Sequence, residues 1–554
     1  MPRLRLDRLP VLVIAGLLVV GIAAPMSGGE LGFGGAGGTA SVAPGPSATQ
    51  PGGSVAIATG SPTAAPTPVA TAEATPVPPP TPGIVQAAIV PVTQFRGTAT
   101  ATNRKELADV LAGSSSRYDA LTLVSDEADA ILAALGVDRP SDPDRLVLAK
   151  DAATLTRDLA RNRKRLAFLR ADDVTIAVRA LAWGDRALFG VERVAKADDW
   201  SLRAELPART ADAAFDPAAT WTLFAGGDIL LDRGVYQTVR IRGKGVDFPF
   251  DGGTAEITSR CKDCSSMGWD LPRTRRTGNA GAVRGVISGA DLAIANFENP
   301  APNRFRYHTS GTTFTADPRL IDGLVNAGID YVSIANNHIG DAGDNGILQT
   351  MSNLRKRGLK YSGAGKDVTA ARAPAMLEAN GTTVAVLAFD AIDKGDYAGR
   401  NEPGSSALTL RRVETGITAA REAGADVVIV FPHWGVEYRS KPFARQQELA
   451  RQIIDAGADM IIGNHAHYAA AMEVYKGKPI WYALGNFVFD QTWSEFTMEG
   501  ITLELTFQGA ELLQVKMRPH IILDKAQPNF MDPGGSGRIV MGQVFDASRG
   551  LLPY

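Results

Sequence analysis

Seven short apolar runs constrain this chain more than any other feature: WTLFAGG, LAIANF, YVSIAN, TVAVLAF, DVVIVF, MIIGN and PIWYALGNF. Each is almost continuously apolar, with no alternation of inward and outward positions, so each predicts a strand covered on both faces. Helical stretches such as DPRLIDGLVNAG and FARQQELARQIIDAG lie between them and end on glycine. That alternation predicts an α/β fold over residues 219–525. TLELTFQG and ELLQVKMRPHII predict an antiparallel hairpin that closes it, followed by a C-terminal tail over 526–554.

A second, smaller α/β unit is expected over residues 84–205. AAIVPVTQF and DALTLVSD read as strands, NRKELADVLAG and EADAILAALGV as helices. The unit contains no histidine, no cysteine and no Gly-rich phosphate loop, so a structural or docking role is expected, its detail unknown.

Ahead of it, residues 27–82 hold 11 Pro and 11 Gly, with Glu30 and Glu73 the only charges. Such a segment buries too little apolar surface to offset its ordering entropy, so a disordered linker is expected over 27–83. Residues 9–26 form an uncharged run of 18 after Arg3, Arg5 and Arg8, about the lower limit for a membrane-spanning helix. Residues 1–26 are therefore expected to anchor the chain in the cell membrane as a single pass, with its bulk extracytoplasmic. The alternative is a cleaved signal peptide and secretion, with Ala23 or Ala24 near the cut.

Composition narrows the chemistry. Lys+Arg 57 against Asp+Glu 59 leaves a net charge of −2, which excludes a strongly basic nucleic-acid binder. Two cysteines exclude a Cys₄ zinc or iron–sulfur site. Only six histidines occur, and five of them fall between His308 and His467.

Those histidines stand at strand ends beside other ligand-type residues. Asp228 follows the first run; Asn296 and Glu298 follow the second; Asn336, Asn337, His338 and Asp341 follow the third. His433 and Glu437 follow DVVIVF, and Asn464, His465 and His467 follow MIIG. Ligands of open α/β sheets gather beyond the carboxyl ends of strands. Taken singly, Asp228 also reads as a turn or helix cap and His433, before Trp434, as a packed ring. Together these carboxylates, amides and imidazoles form a donor set for two divalent ions, Mn²⁺, Zn²⁺ or Fe²⁺ rather than Ca²⁺. His465 and His467, as alternate strand residues, would share one face.

The order of motifs, GD, NFE, ANNHxxDxG, HWGxEY and GNHAH followed by YALGNFVFDQ, resembles the CapA family of capsule and poly-γ-glutamate synthesis proteins. The resemblance covers residues 220–524. It implies a branch of the calcineurin-like metallophosphatase superfamily and a four-layer α/β/β/α sandwich. It further implies that Asp228, Glu298, Asn337, His433, His465 and His467 are metal ligands, with Glu298 as the bridging carboxylate. His338 would then be the proton donor, with Asp341 orienting its ring. Two departures bear on activity: Leu230 stands where the superfamily usually has histidine, and the bridging carboxylate is Glu rather than Asp. One metal position would then be weak or empty.

The resemblance implies a cell-surface protein of capsule or poly-γ-glutamate biosynthesis, export or anchoring, with a dinuclear hydrolase site for phosphoesters or γ-glutamyl amides. Its expected partners are the membrane, an anionic polymer or capsule precursor, and envelope synthase subunits, with no nucleic acid. The alternatives are an extracellular metallophosphatase or phosphodiesterase unrelated to capsule, and a catalytically silent envelope scaffold. Cys261 and Cys264, in a loop expected as an insertion, suit a local disulfide. Arg273, Arg275, Arg276, Arg304, Arg306 and His308 are candidates to receive the polymer. Glu437 and Tyr438 are expected to support His433, and Trp481 and Tyr482 to be core.

Overall fold

A computed structural model of the chain describes residues 83–209 and 215–554. The expected anchor, and the expected linker apart from Gly83, lie outside the described residues. Among the described residues no helix is long and apolar enough to cross a membrane.

The smaller unit opens with β1 (Ile84–Gln94), whose later half is buried. Then follow α1 (Arg104–Leu111), β2 (Ala120–Val124), α2 (Ala128–Leu135), β3 (Leu146–Ala149), α3 (Ala152–Arg161), β4 (Arg165–Arg170) and β5 (Val178–Ala180). The sheet order is β3-β2-β4-β1-β5. Asn103 and Asp151 cap α1 and α3 by accepting from backbone N–H groups three residues on. α2 stops where Gly136 turns left-handed, at φ 66°. A further strand, β6 (Arg203–Pro207), pairs antiparallel with the start of β1.

The larger unit starts at β7 (Thr220–Ile229), every residue of it buried. β8 (Thr254–Cys261) and β9 (Leu271–Gly278) form a hairpin, so the segment expected as a loop is instead paired strand, closed near its tip by the Cys261–Cys264 disulfide. Next come α4 (Ala282–Gly289), β10 (Leu292–Phe297), α5 (Ile321–Ala327), β11 (Tyr331–Ser333), α6 (Gly343–Lys356) and β12 (Lys360–Ser362). The second sheet runs β13 (Ala375–Ala379), β14 (Thr382–Asp390), α7 (Leu410–Glu422), β15 (Val427–His433), α8 (Ala444–Asp455), β16 (Met460–Ile462), β17 (Met472–Tyr475) and β18 (Lys478–Trp481). The chain then returns through β19 (Asn486–Val488), β20 (Glu499–Gln508), β21 (Glu511–Leu523), β22 (Gln527–Phe530) and α9 (Arg538–Ala547).

Ten strands form one sheet, in the order β9-β8-β22-β21-β20-β7-β10-β11-β12, with β19 beside β7. Six form the other, β13-β14-β15-β16-β18-β17. Their facing surfaces share one apolar core, in which Leu223, Ile294 and Leu503 meet Val386, Ile429 and Ile462. Helices α4, α5 and α6 cover the outer face of the first sheet, and α7 and α8 that of the second. The layers are therefore helix, sheet, sheet, helix. Coverage on both faces is the physical reason the strands read as continuous apolar runs.

β20 and β21 form the expected hairpin, in register from Glu499–Ile521 to Gln508–Glu511. Residues 526–554 are not a free tail. Gln527–Phe530 pairs with β21, and Val540, Met541, Val544 and Leu552 enter the core between the sheets. Burying apolar side chains of that size holds the segment in place, at about 25 cal/mol per Å².

Candidate metal centre

Asp228 is the penultimate residue of β7, where the register sets Asn296 of β10 on one side of it and Asn486 of β19 on the other. Gly227 permits the second approach, because a Cβ there would collide with the Gly485 carbonyl. Asp228 Oδ1 accepts a 2.8 Å bond from Asn296 Nδ2, which also lies 3.4 Å from Glu298 Oε2 and 3.3 Å from His433 Nδ1. Asn336 Nδ2 donates to the Phe297 carbonyl at 2.9 Å and approaches Asn296 Oδ1 at 3.4 Å. One buried amide thus orients both carboxylates and a histidine ring.

The second sheet brings the imidazoles. His433 is the last residue of β15, and a bridge from it to Asn464 carries the GNHAH segment across. His465 and His467 lie in a bend, not a strand, with left-handed φ of 89° and 55°. Non-glycine residues in that region cost of order 1–3 kcal/mol, and such strain clusters at functional sites. The expectation that the two rings share a face therefore fails. The bend sends His465 to His433 and His467 to Asp228.

Two groups of potential ligands result, all buried: Glu298 with His433 and His465, and Asp228 with Glu298 and His467. Glu298 belongs to both. Its Oε1 is buried without a hydrogen-bond partner among the described residues, 3.7 Å from His433 Nε2 and 3.6 Å from His467 Nε2. His433 Nε2 also faces Asn337 Oδ1 at 2.9 Å and His465 Nδ1 at 3.1 Å. A neutral ring carries at most one proton there, which leaves some of these acceptors unpaired. A cation among them satisfies them all, so the residues present fit the ions the resemblance implies.

The titration shifts agree with that shortage of positive charge. Burial drives Glu298 well above the usual carboxyl range, and the Asp228 charge adds to it. Asp228 is raised by burial against the opposing pull of His467. His433 is driven well below the usual imidazole range by burial and then by His465 and His467, and His465 is lowered to about 3. His467 is also lowered by burial, with Asp228 opposing. Neutral imidazoles are the metal-binding form, and a dication would reverse the penalty on the carboxylates.

His467 Nδ1 lies 2.9 Å from Asn486 Oδ1, which directs Nε2 toward Glu298. His338 lies at the edge of the centre. Its Nδ1 is 2.9 Å from Asp341 Oδ2, and Asn337 Nδ2 lies 3.0 Å from its Nε2. Asp341 is itself fixed by the Phe314 N–H at 2.5 Å. Leu230, at the position of the missing histidine, is packed with Phe314, Phe489 and Ile522.

Several expectations need correction. Tyr438 stacks 5.8 Å from the His467 ring, so it supports that residue rather than His433, and Glu437 is exposed. Arg275 pairs with Glu256, Arg276 with Asp524, and His308 with the buried Asp232 at 2.6 Å, so these three are already engaged. Arg304 and Arg306 are exposed. Trp481 and Tyr482 are core. Asn486 went unassigned in the sequence. Its signal was the LGN of YALGNF, a polar residue inside an apolar run.

Residues 222–491 match the family model of the bacterial capsule synthesis protein PGA_cap. The match spans just under half of the chain, which over those residues is similar to the PGA_cap family. This bears out the resemblance read from the motif order, and the PGA_cap region contains every candidate ligand. Over 220 residues the chain is 34% identical to the capsule biosynthesis protein CapA of Bacillus anthracis, covering 38% of this chain and 54% of that one. It is 36% identical over 216 residues to the PGA biosynthesis protein CapA of Bacillus subtilis (strain 168), covering 38% and 57%. The chain thus spans little more than half the length of these curated relatives. Among solved structures, the calcineurin-like phosphoesterase YfkN from Bacillus subtilis aligns with a TM-score of 0.32 and 12% identity, over 60% of this chain and 97% of that one. The smaller unit and the β20–α9 segment lie outside the PGA_cap match.

Proposed function

We propose that this chain is a metal-dependent hydrolase of capsule or poly-γ-glutamate polymer biosynthesis, export or anchoring, acting on a phosphoester or a γ-glutamyl amide. The observation that carries the reading is Glu298, whose Oε1, without a hydrogen-bond partner among the described residues, belongs to two ligand groups. Asp228, Glu298 and His467 would hold one divalent ion; Glu298, His433 and His465, with the Asn337 carbonyl, would hold the other. Mn²⁺, Zn²⁺ or Fe²⁺ suits these donors. When bound, such a pair supplies an acidified water and neutralises charge on the reacting oxygens.

The chain's own residues do the rest. Asp341 accepts from His338 Nδ1, which leaves Nε2 to carry the exchangeable proton. His338 Nε2 then delivers that proton to the leaving oxygen, after which Asn337 Nδ2, 3.0 Å away, donates to the bare nitrogen. Asn296 donates to Asp228 at 2.8 Å and approaches Glu298 at 3.4 Å, which orients both carboxylates toward the centre. The buried walls exclude water, which strengthens each of these interactions.

An anchor over residues 1–26 would place the hydrolase at the cell surface, beside an anionic polymer and envelope synthase subunits. The apolar packing of Leu230 supports the second reading, a catalytically silent envelope scaffold. The test is to purify the full chain, measure its bound metals, and assay phosphoester and γ-glutamyl substrates with and without chelator. About two ions per chain and chelator-sensitive turnover are expected. No bound metal together with no such turnover would leave the scaffold.

A further inference from the structure

A second cluster of charge lies where the smaller unit meets the hairpin of the larger one, outside the PGA_cap match. A cavity of about 370 Å³ opens there, lined by Arg179, Lys516, Arg518, Gln514 and Glu192 among others. Arg179 of β5 is only 5% exposed. Among the described residues its guanidinium makes one hydrogen bond, from Nε to the Phe95 carbonyl at 3.4 Å, and has no ion-pair partner. Isolated buried charges are rare because desolvation costs several kcal/mol, as estimated for an ion taken out of water.

Two nearby carboxylates pair with Lys516 and Arg518 and leave Arg179 without one among the described residues. Glu504, fully buried, accepts from Arg518 Nε at 2.6 Å and from the Val191 N–H at 2.9 Å, and it lies 3.7 Å from Lys516 Nζ. Glu192 lies 3.8 Å from Lys516 and 3.7 Å from Arg518, and its side chain is 69% exposed. Asp185 also lines the cavity but is exposed and pairs with none of the three cations. Arg518 Nη2 is buried without a hydrogen bond. The cavity therefore has an excess of donors.

The donors are also held in place. Gln514 Nε2 donates to the Val178 carbonyl at 3.1 Å, and its Oε1 accepts from the Ala180 N–H at 3.0 Å. These two bonds clasp β5 on either side of Arg179. They fix the backbone that carries Arg179, whose guanidinium fork matches the two oxygens of a carboxylate or phosphate.

We propose that this cavity binds a small oxyanion, a carboxylate or phosphate group, through Arg179, Lys516 and Arg518. Burial lowers Arg179 to about 10 and also lowers Lys516, with Glu504 opposing and the Arg518 and Arg179 charges adding to the fall. The proposal does not depend on the metal centre.

The experiment is calorimetric titration of the full chain, in chloride-free buffer, with succinate and separately with inorganic phosphate. Saturable binding that becomes at least tenfold weaker in Arg179→Met supports the proposal; succinate alone identifies a carboxylate ligand, phosphate alone a phosphate. Phosphate held at the metal centre is separated because Arg179→Met leaves it unchanged. The variant should melt no lower than wild type without ligand and keep wild-type chelator-sensitive turnover. Lys516→Met provides the same reading if Arg179→Met does not fold. Two results would overturn the site: neither anion binds, or binding survives both substitutions.

Discussion

At the strand ends, Asp228, Glu298, His433, His465 and His467 crowd acceptors together; in the seam, Arg179, Lys516 and Arg518 crowd donors together. Both clusters are buried enough that unpaired charge is costly, and each is short of the opposite sign. The difference lies in what surrounds them. The strand-end centre is framed by amides, Asn296 and Asn486, that set ring and carboxylate directions. The seam is framed by backbone clasps that set a guanidinium. The first arrangement suits a cation and the second an anion.

The sharpest way to break this comparison is Glu298→Gln, which keeps the shape and removes the shared charge. Both ions should be lost and turnover should fall to the chelator-treated level, while Arg179-dependent anion binding stays intact. Metal analysis showing two ions retained would contradict the shared-ligand assignment.

His338→Ala is the next largest. Turnover should drop about 10²–10⁴-fold, as for loss of a general acid, with metal content unchanged. A parallel loss of metal would move His338 from proton donor to ligand.

His520 tests whether burial alone keeps an imidazole neutral here. Its Nε2 lies 2.8 Å from the Asn486 carbonyl, its Nδ1 is buried without a partner, and burial lowers it to about 4. The folded state then binds fewer protons than the unfolded one between pH 4 and about 6.5, so stability is complete above that window and falls as pH drops through it. The fall amounts to about 3 kcal/mol. Denaturant unfolding of wild type against His520→Gln isolates it; equal slopes would reject it.

The smallest effect is at Asn486. Asn486→Ala frees the His467 ring and should weaken metal binding about 10–100-fold, measured by competition with a chromogenic chelator. Unchanged affinity would show that Tyr438 alone orients that ring.

Much of the larger unit was legible in the sequence because its signals are local. WTLFAGG and DVVIVF are continuously apolar, which betrays strands covered on both faces, and ligand-type residues follow them directly. The 526–554 segment was misread because its apolar residues acquire a core only when β20 and β21 have placed it there. Tyr438 was assigned to the wrong histidine because sequence proximity to His433 says nothing of the bend that brings His467 alongside.

The sequence by itself determined the α/β class, the family resemblance and the types of ligand, since periodicity and motif order are written along the chain. Only the tertiary structure decided that Asn296 and Asn486 frame the carboxylates and the His467 ring, that a bend and not a strand carries His465 and His467, and that Arg179 meets Lys516 and Arg518. Those outcomes depend on strand register and on contacts between residues up to more than three hundred positions apart, as with Ala180 and Gln514 at a separation of 334. No local pattern encodes such distances.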